Sequence, residues 1–102
     1  VTLSESPSYL DDDLVVLAAR VAAAERGLDD PADLLALRFG VRLRYLRSER
    51  GLQQAEVADR TRGRVSQGTV SRLESGRTVV RLDALYALAD ALAVHPTELL
   101  DP

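Results

Sequence analysis

Three glycines, Gly51, Gly63 and Gly76, stand twelve and thirteen residues apart and divide the second half of the chain into short pieces. Glycine adopts the left-handed backbone that closes a helix at little steric cost, so each is a natural stop. A piece of that length holds about two turns of helix and a connection. The stretch from Gly51 to Gly76 has room for two short helices joined by a tight turn and little else.

The residue types favour helix as well. Of 102 residues, 46% are apolar but only 4% aromatic, so the core has to be assembled from Leu, Val and Ala. Alanine, leucine and arginine have high helix propensity, and strand formers are few. The expectation is an all-α protein with one small core.

The first ten residues, VTLSESPSYL, are polar, contain a proline and are expected to be loosely held. Asp11, Asp12 and Asp13 suit a helix N-terminus, and Leu14, Leu17, Val21 and Ala24 follow at helical spacing, so a helix is predicted from about Asp12 to Arg26, stopped by Gly27. Asp30 followed by Pro31 is a second start signal. One helix is predicted over 31–50, continuous through Gly40, with Leu34, Leu37, Val41 and Tyr45 on one face and Leu35, Phe39, Leu43 and Leu46 on the next. Two short helices follow, Gln54 to Thr61 and a second one capped by Ser66 and ended by Gly76. A helix from Leu82 to Ala93 carries the stripe Leu85, Leu88, Ala89 and Leu92, and a last turn spans Pro96 to Leu100.

Catalytic chemistry has little to work with. The chain has no cysteine and one histidine, His95, which removes thiolate metal sites, cysteine nucleophiles and Ser/His arrangements. His95 reads as a loop residue before Pro96. No catalytic residues, cofactor or metal are expected, and the protein is expected not to be an enzyme. No apolar run reaches the roughly 20 residues of a membrane span and no signal peptide is visible, so a cytoplasmic, nucleoid-associated location is expected. All thirteen basic residues are arginine, a bias that suits a high-GC bacterial coding sequence.

The net charge of −3 conceals a segregation. Residues 1–37 carry eight acids and two arginines, residues 38–81 eleven arginines and four acids, and residues 82–102 four acids and no base. A basic middle between acidic ends is the footprint of a local polyanion site. Arginines pairing with the acidic segments inside the same fold would give the same pattern, and the two readings stay open at this stage.

A two-turn helix, a tight glycine-containing turn and a second short helix, held between two amphipathic helices, make a helix-turn-helix arrangement. The residues resemble the Cro/C1 type, or XRE family, from about Phe39 to Leu100. The likeness lies in Arg47-x-x-x-Gly51-Leu52, in Gln54 and Ala58, in the run SQGTVSRLESG from Ser66 to Gly76, and in the Ala91-Leu92-Ala93-Val94 close. It implies a five-helix lambda-repressor-like domain over residues 31–102. Residues 1–30 have no counterpart in the motif and form an extension with one additional helix, which is either a dimerisation or partner element or a further helix covering the domain core, and the two readings stay open.

The resemblance also implies roles. Gln54 stands where the family holds a phosphate, and Ser66, Gln67, Gly68, Thr69, Ser71 and Arg72 stand at the start and along one side of the recognition helix. Glutamine can read adenine and arginine guanine through paired hydrogen bonds. Arg77 falls where relatives touch the DNA backbone. Arg47 and Glu74 are expected to form an ion pair tying the first helix of the domain to the third. Arg60, Arg62 and Arg64 are open between DNA contact and solvation.

Two departures from the pattern stand out. Ala58 to Gly63 is one residue longer than usual, which lengthens the turn or the end of its helix. Gln53 and Arg81 replace hydroxyl caps, each worth about 1 kcal/mol. The expected function is sequence-specific binding of double-stranded DNA by a transcriptional regulator, a repressor acting as a homodimer on a palindromic operator. The alternative is an antitoxin or adaptor whose N-terminal segment binds a protein partner while DNA binding serves autoregulation.

Overall fold

The computed structural model describes residues 17–27 and 30–100. Among them all regular structure is helical. Residues 17–26 form α1, followed by α2 (Pro31–Glu49), α3 (Gln54–Arg60), α4 (Gln67–Glu74), α5 (Leu82–Leu92) and α6 (Thr97–Leu100). The predicted start of the first helix, at Asp11 to Asp13, lies outside the described residues.

The punctuation acts as chemistry dictates. Asp30 Oδ1 accepts the Ala32 N–H at 2.8 Å with Pro31 inside the first turn, so α2 begins where its unpaired donors have a carboxylate. At the start of α3 the Glu56 carboxylate reaches back to accept the Gln53 N–H at 2.8 Å, the reciprocal half of a capping box, which satisfies a different donor from the one a hydroxyl cap would take. At Arg81 no side chain caps α5. Helix ends fall one residue early at Thr61 and at Ala93, which are the capping residues.

The main core is a cluster shared by α2 to α6. Phe39, Leu43 and Leu46 of α2 meet Val57 of α3, Val70 and Leu73 of α4, Leu85, Leu88 and Leu92 of α5, and Leu99 of α6. Each fully buried leucine contributes about 1.5–3 kcal/mol relative to exposure. Arg42 is buried beside this cluster and donates through Nε to the Glu98 carbonyl at 2.8 Å, joining α2 to α6.

Gly40 explains why α2 tolerates a glycine at its centre. A Cβ there would collide with the Leu73 carbonyl oxygen and lie 2.8 Å from that of Glu74, so α2 and α4 cross backbone against backbone. Gly76, at φ +71°, closes α4 and leaves no room for a side chain against Leu37, whose side chain and Cα lie next to it.

A second, smaller cluster joins α1 to α2 through Ala19, Ala23 and Leu37. Two expectations fail here. Leu35 is 61% exposed although Phe39, Leu43 and Leu46, grouped with it by spacing, are buried in the core, and the spaced row Leu17, Val21 and Ala24 on α1 faces solvent while the alanines opposite it dock.

Candidate nucleic-acid interface

The turn between α3 and α4 absorbs its extra residue through two consecutive positive φ angles, +57° at Arg62 and +87° at Gly63. Glycine takes that conformation freely and arginine does not. Thr61 holds the turn closed: its buried hydroxyl donates to the Ala58 carbonyl at 2.6 Å and accepts the Val65 N–H at 3.0 Å. Val65, buried, then delivers Ser66 to the start of α4.

Ser66 Oγ accepts the Thr69 N–H at 3.1 Å and caps the helix. Val70 and Leu73 are fully buried, which turns Gln67, Gly68, Ser71 and Arg72 to solvent. Thr69 lies half-buried between the two sides and organises the outer one. Its Oγ1 accepts from Ser66 Oγ at 3.0 Å and from Arg72 Nη2 at 3.0 Å, so Ser66, Thr69 and Arg72 form a polar ladder at steps of three. Arg77 follows, exposed.

The orientation of α4 is fixed from behind. Arg47 Nε and Nη2 meet Glu74 Oε2 and Oε1 at 2.6 and 3.0 Å, a two-pronged pair that is mostly buried. A third donor, Nη1, bonds the Leu52 carbonyl at 2.8 Å. The hydrogen bond to Glu74 raises the Arg47 pKa above the ordinary arginine value, so the guanidinium stays charged. Gln54 Nε2 also donates to Glu74 Oε1, at 3.0 Å. Its amide is thus engaged with the ion pair, a partner that the sequence did not suggest.

Residues 38–101 match the family described as a helix-turn-helix domain. The chain belongs to the helix-turn-helix family. A solved structure, the restriction-modification controller protein C.AhdI from Aeromonas hydrophila, is similar at 33% sequence identity and a TM-score of 0.64. The likeness covers 69% of this chain and 99% of that one. No curated protein matches.

This helix-turn-helix protein is a DNA-binding regulator of transcription with an all-helical fold. α3 and α4 are the two helices of the motif, and six of the residues singled out in the sequence, Ser66, Gln67, Gly68, Thr69, Ser71 and Arg72, gather on α4 and its cap. Gln54 is linked to them through Glu74, and Arg77 lies just beyond. No described helix is long and apolar enough to cross a membrane.

Arg60, Arg62 and Arg64 are exposed and line an open groove with Asp83, Tyr86 and Asp90 of α5. Asp83 is held below the usual carboxylate range by its hydrogen bond from Arg81 and by the Ala84 N–H. Leu82 and Tyr86, one helical turn apart, are 70% and 57% exposed and flank a shallow depression beside this groove. Sequence reasoning followed the buried stripe of α5 and passed over this outer pair. Two large apolar residues four apart on the opposite side of an amphipathic helix were the available signal.

Proposed function

We propose that this helix-turn-helix protein is a repressor that occupies a palindromic operator as a homodimer in the cytoplasm, with α4 laid in the major groove. One observation supports this most directly: Gln67, Gly68, Ser71 and Arg72 are exposed on a helix whose other side is buried and pinned by Arg47 and Glu74. Exposed polar groups on a rigid mount, with Arg72 aimed by its bond to Thr69, suit base reading.

In this reading Gln67 reads adenine and Arg72 guanine, with Thr69 and Ser71 beside them. Ser66 and Gly68 admit a close backbone approach. Arg77 holds a phosphate, and Gln54 does so by sharing the amide that now bonds Glu74. One unit reads few base pairs, so a two-fold dimer is the working form. The exposed Leu82 and Tyr86 support a symmetric contact on α5. The similarity to a restriction-modification controller protein supports a regulatory role. Residues 31–102 form the DNA-binding unit and residues 1–30 an extension, and the protein acts by binding and not by catalysis.

Selection of bound fragments from the parent genome tests this. A shared palindromic sequence is expected, with affinity that falls steeply as salt rises. Gln67→Ala and Arg72→Ala should each lose about 1–3 kcal/mol of discrimination while the fold stays intact. Fragments with no common sequence, or binding indifferent to salt, would sink the proposal.

A further inference from the structure

The helix α1 precedes the residues matched by the family, yet it is docked to the domain on one side, and on the other no described helix covers it. At about 100° per residue, Leu17, Val21 and Ala24 fall within about 60° of one another, opposite the docked Ala19 and Ala23. Leu17 is 57% and Val21 50% exposed. Arg26 Nη1 donates to the Ser75 carbonyl at 3.0 Å, which holds the end of α1 against the end of α4 and keeps this row turned outward.

The spacing of the row fits a seam between two helices. Leu17, Val21 and Ala24 stand four and three residues apart, the alternation of a coiled-coil seam. Leu10 and Leu14, which lie outside the described residues, continue the same alternation in the sequence toward the N-terminus. With leucine at the d position and β-branched valine at a, the seam is of the type that favours two parallel strands.

The flanks choose the occupant. In that frame Arg20 is at g and Glu25 at the following e, and both are exposed. In a parallel, in-register pair these are the positions that meet across the seam, so a second copy places glutamate beside arginine on both sides. An antiparallel pair loses this complementarity. We infer that α1 pairs in parallel with α1 of a second copy of this chain, a contact separate from the one on α5 and independent of DNA. So short a helix pairs weakly by itself, which suits a contact that strengthens when two copies are already held close together.

The chain has no cysteine, so single cysteines report this contact directly. Leu17→Cys, Val21→Cys and the remote exposed Ser48→Cys are prepared in the full chain and oxidised without DNA, and covalent dimer is followed on non-reducing gels. Facing residues of a parallel pair come within disulfide reach, so the first two should cross-link at least about tenfold faster than the third. Adding Arg20→Glu to Leu17→Cys should slow the reaction, and adding Glu25→Arg as well should restore it. Equal rates at positions 17, 21 and 48 overturn the inference. So does cross-linking that appears only when the Leu17→Cys and Val21→Cys proteins are mixed, or a charge reversal without effect.

Discussion

Arg47 on α2 and Glu74 on α4 meet through two parallel hydrogen bonds of 2.6 and 3.0 Å, and both side chains are largely shielded from water. Removing one partner leaves the other buried without its counter-charge. Glu74→Ala should therefore cost about 3–5 kcal/mol, whereas the double change Arg47→Met with Glu74→Leu should come close to neutral. Urea unfolding monitored by circular dichroism measures both. A single variant as stable as the parent would show that the pair contributes nothing to the mount.

Gly40→Ala tests the backbone crossing of α2 and α4. The new methyl would meet two carbonyl oxygens that have no flexible side chain to give way. A loss of about 2–3 kcal/mol is expected, against the gain of about 1 kcal/mol that alanine brings to an unobstructed helix interior. Thermal unfolding reads the sign directly.

The Thr61 hydroxyl gives a third test. Thr61→Val keeps the shape but leaves the buried Val65 N–H without its acceptor, so a loss of about 1–3 kcal/mol is expected. Thr61→Ser retains the oxygen and should cost clearly less. If the two variants unfold at the same temperature, the hydrogen bond is not what closes the turn.

Arg62 occupies the left-handed region at φ +57°. Arg62→Gly should stabilise the chain by about 0.5–1 kcal/mol, since the strain relieved exceeds the entropy glycine adds to the unfolded state. A lower melting temperature would show that the arginine side chain supplies a compensating contact.

Thr69→Val removes the oxygen that receives Arg72 and Ser66. The side chain of Arg72 then loses its preset direction, and operator affinity should fall about tenfold, or about 1.4 kcal/mol, on the reading proposed above. Electrophoretic mobility shift with the selected operator measures it. An unchanged affinity would mean that Arg72 finds its base without help from Thr69.

Much of this architecture is legible in the residues themselves, because it depends on local chemistry. Asp30, Ser66, Gly51 and Gly76 mark helix ends through groups that act within a few residues of themselves. What stays hidden depends on neighbours far along the chain. Gly40 reads as a tolerated blemish until Leu73 and Glu74 lie across it, and nothing near Gln54 in the chain announces that its amide bonds the Glu74 carboxylate. Periodicity marked the row Leu17, Val21 and Ala24, but a period says nothing about whether a surface waits opposite. Leu35 failed for the same reason. The long turn was countable from Ala58 to Gly63, yet the role of Thr61 required Val65 to come back to it. The Arg47–Glu74 pair was accessible only through the family resemblance, twenty-seven residues apart in the chain.

Gly40 brings α2 against the α4 backbone with no side chain between them, Gly76 seats the end of α4 on Leu37, and the Arg47–Glu74 pair holds it there from the inner side. The outer residues Gln67, Gly68, Ser71 and Arg72 take no part in that seating. The lettering of the recognition helix is thus independent of its binding to the page: the four outward positions can be rewritten together to seek a new operator, while a conservative change at Gly40 would silence every version alike.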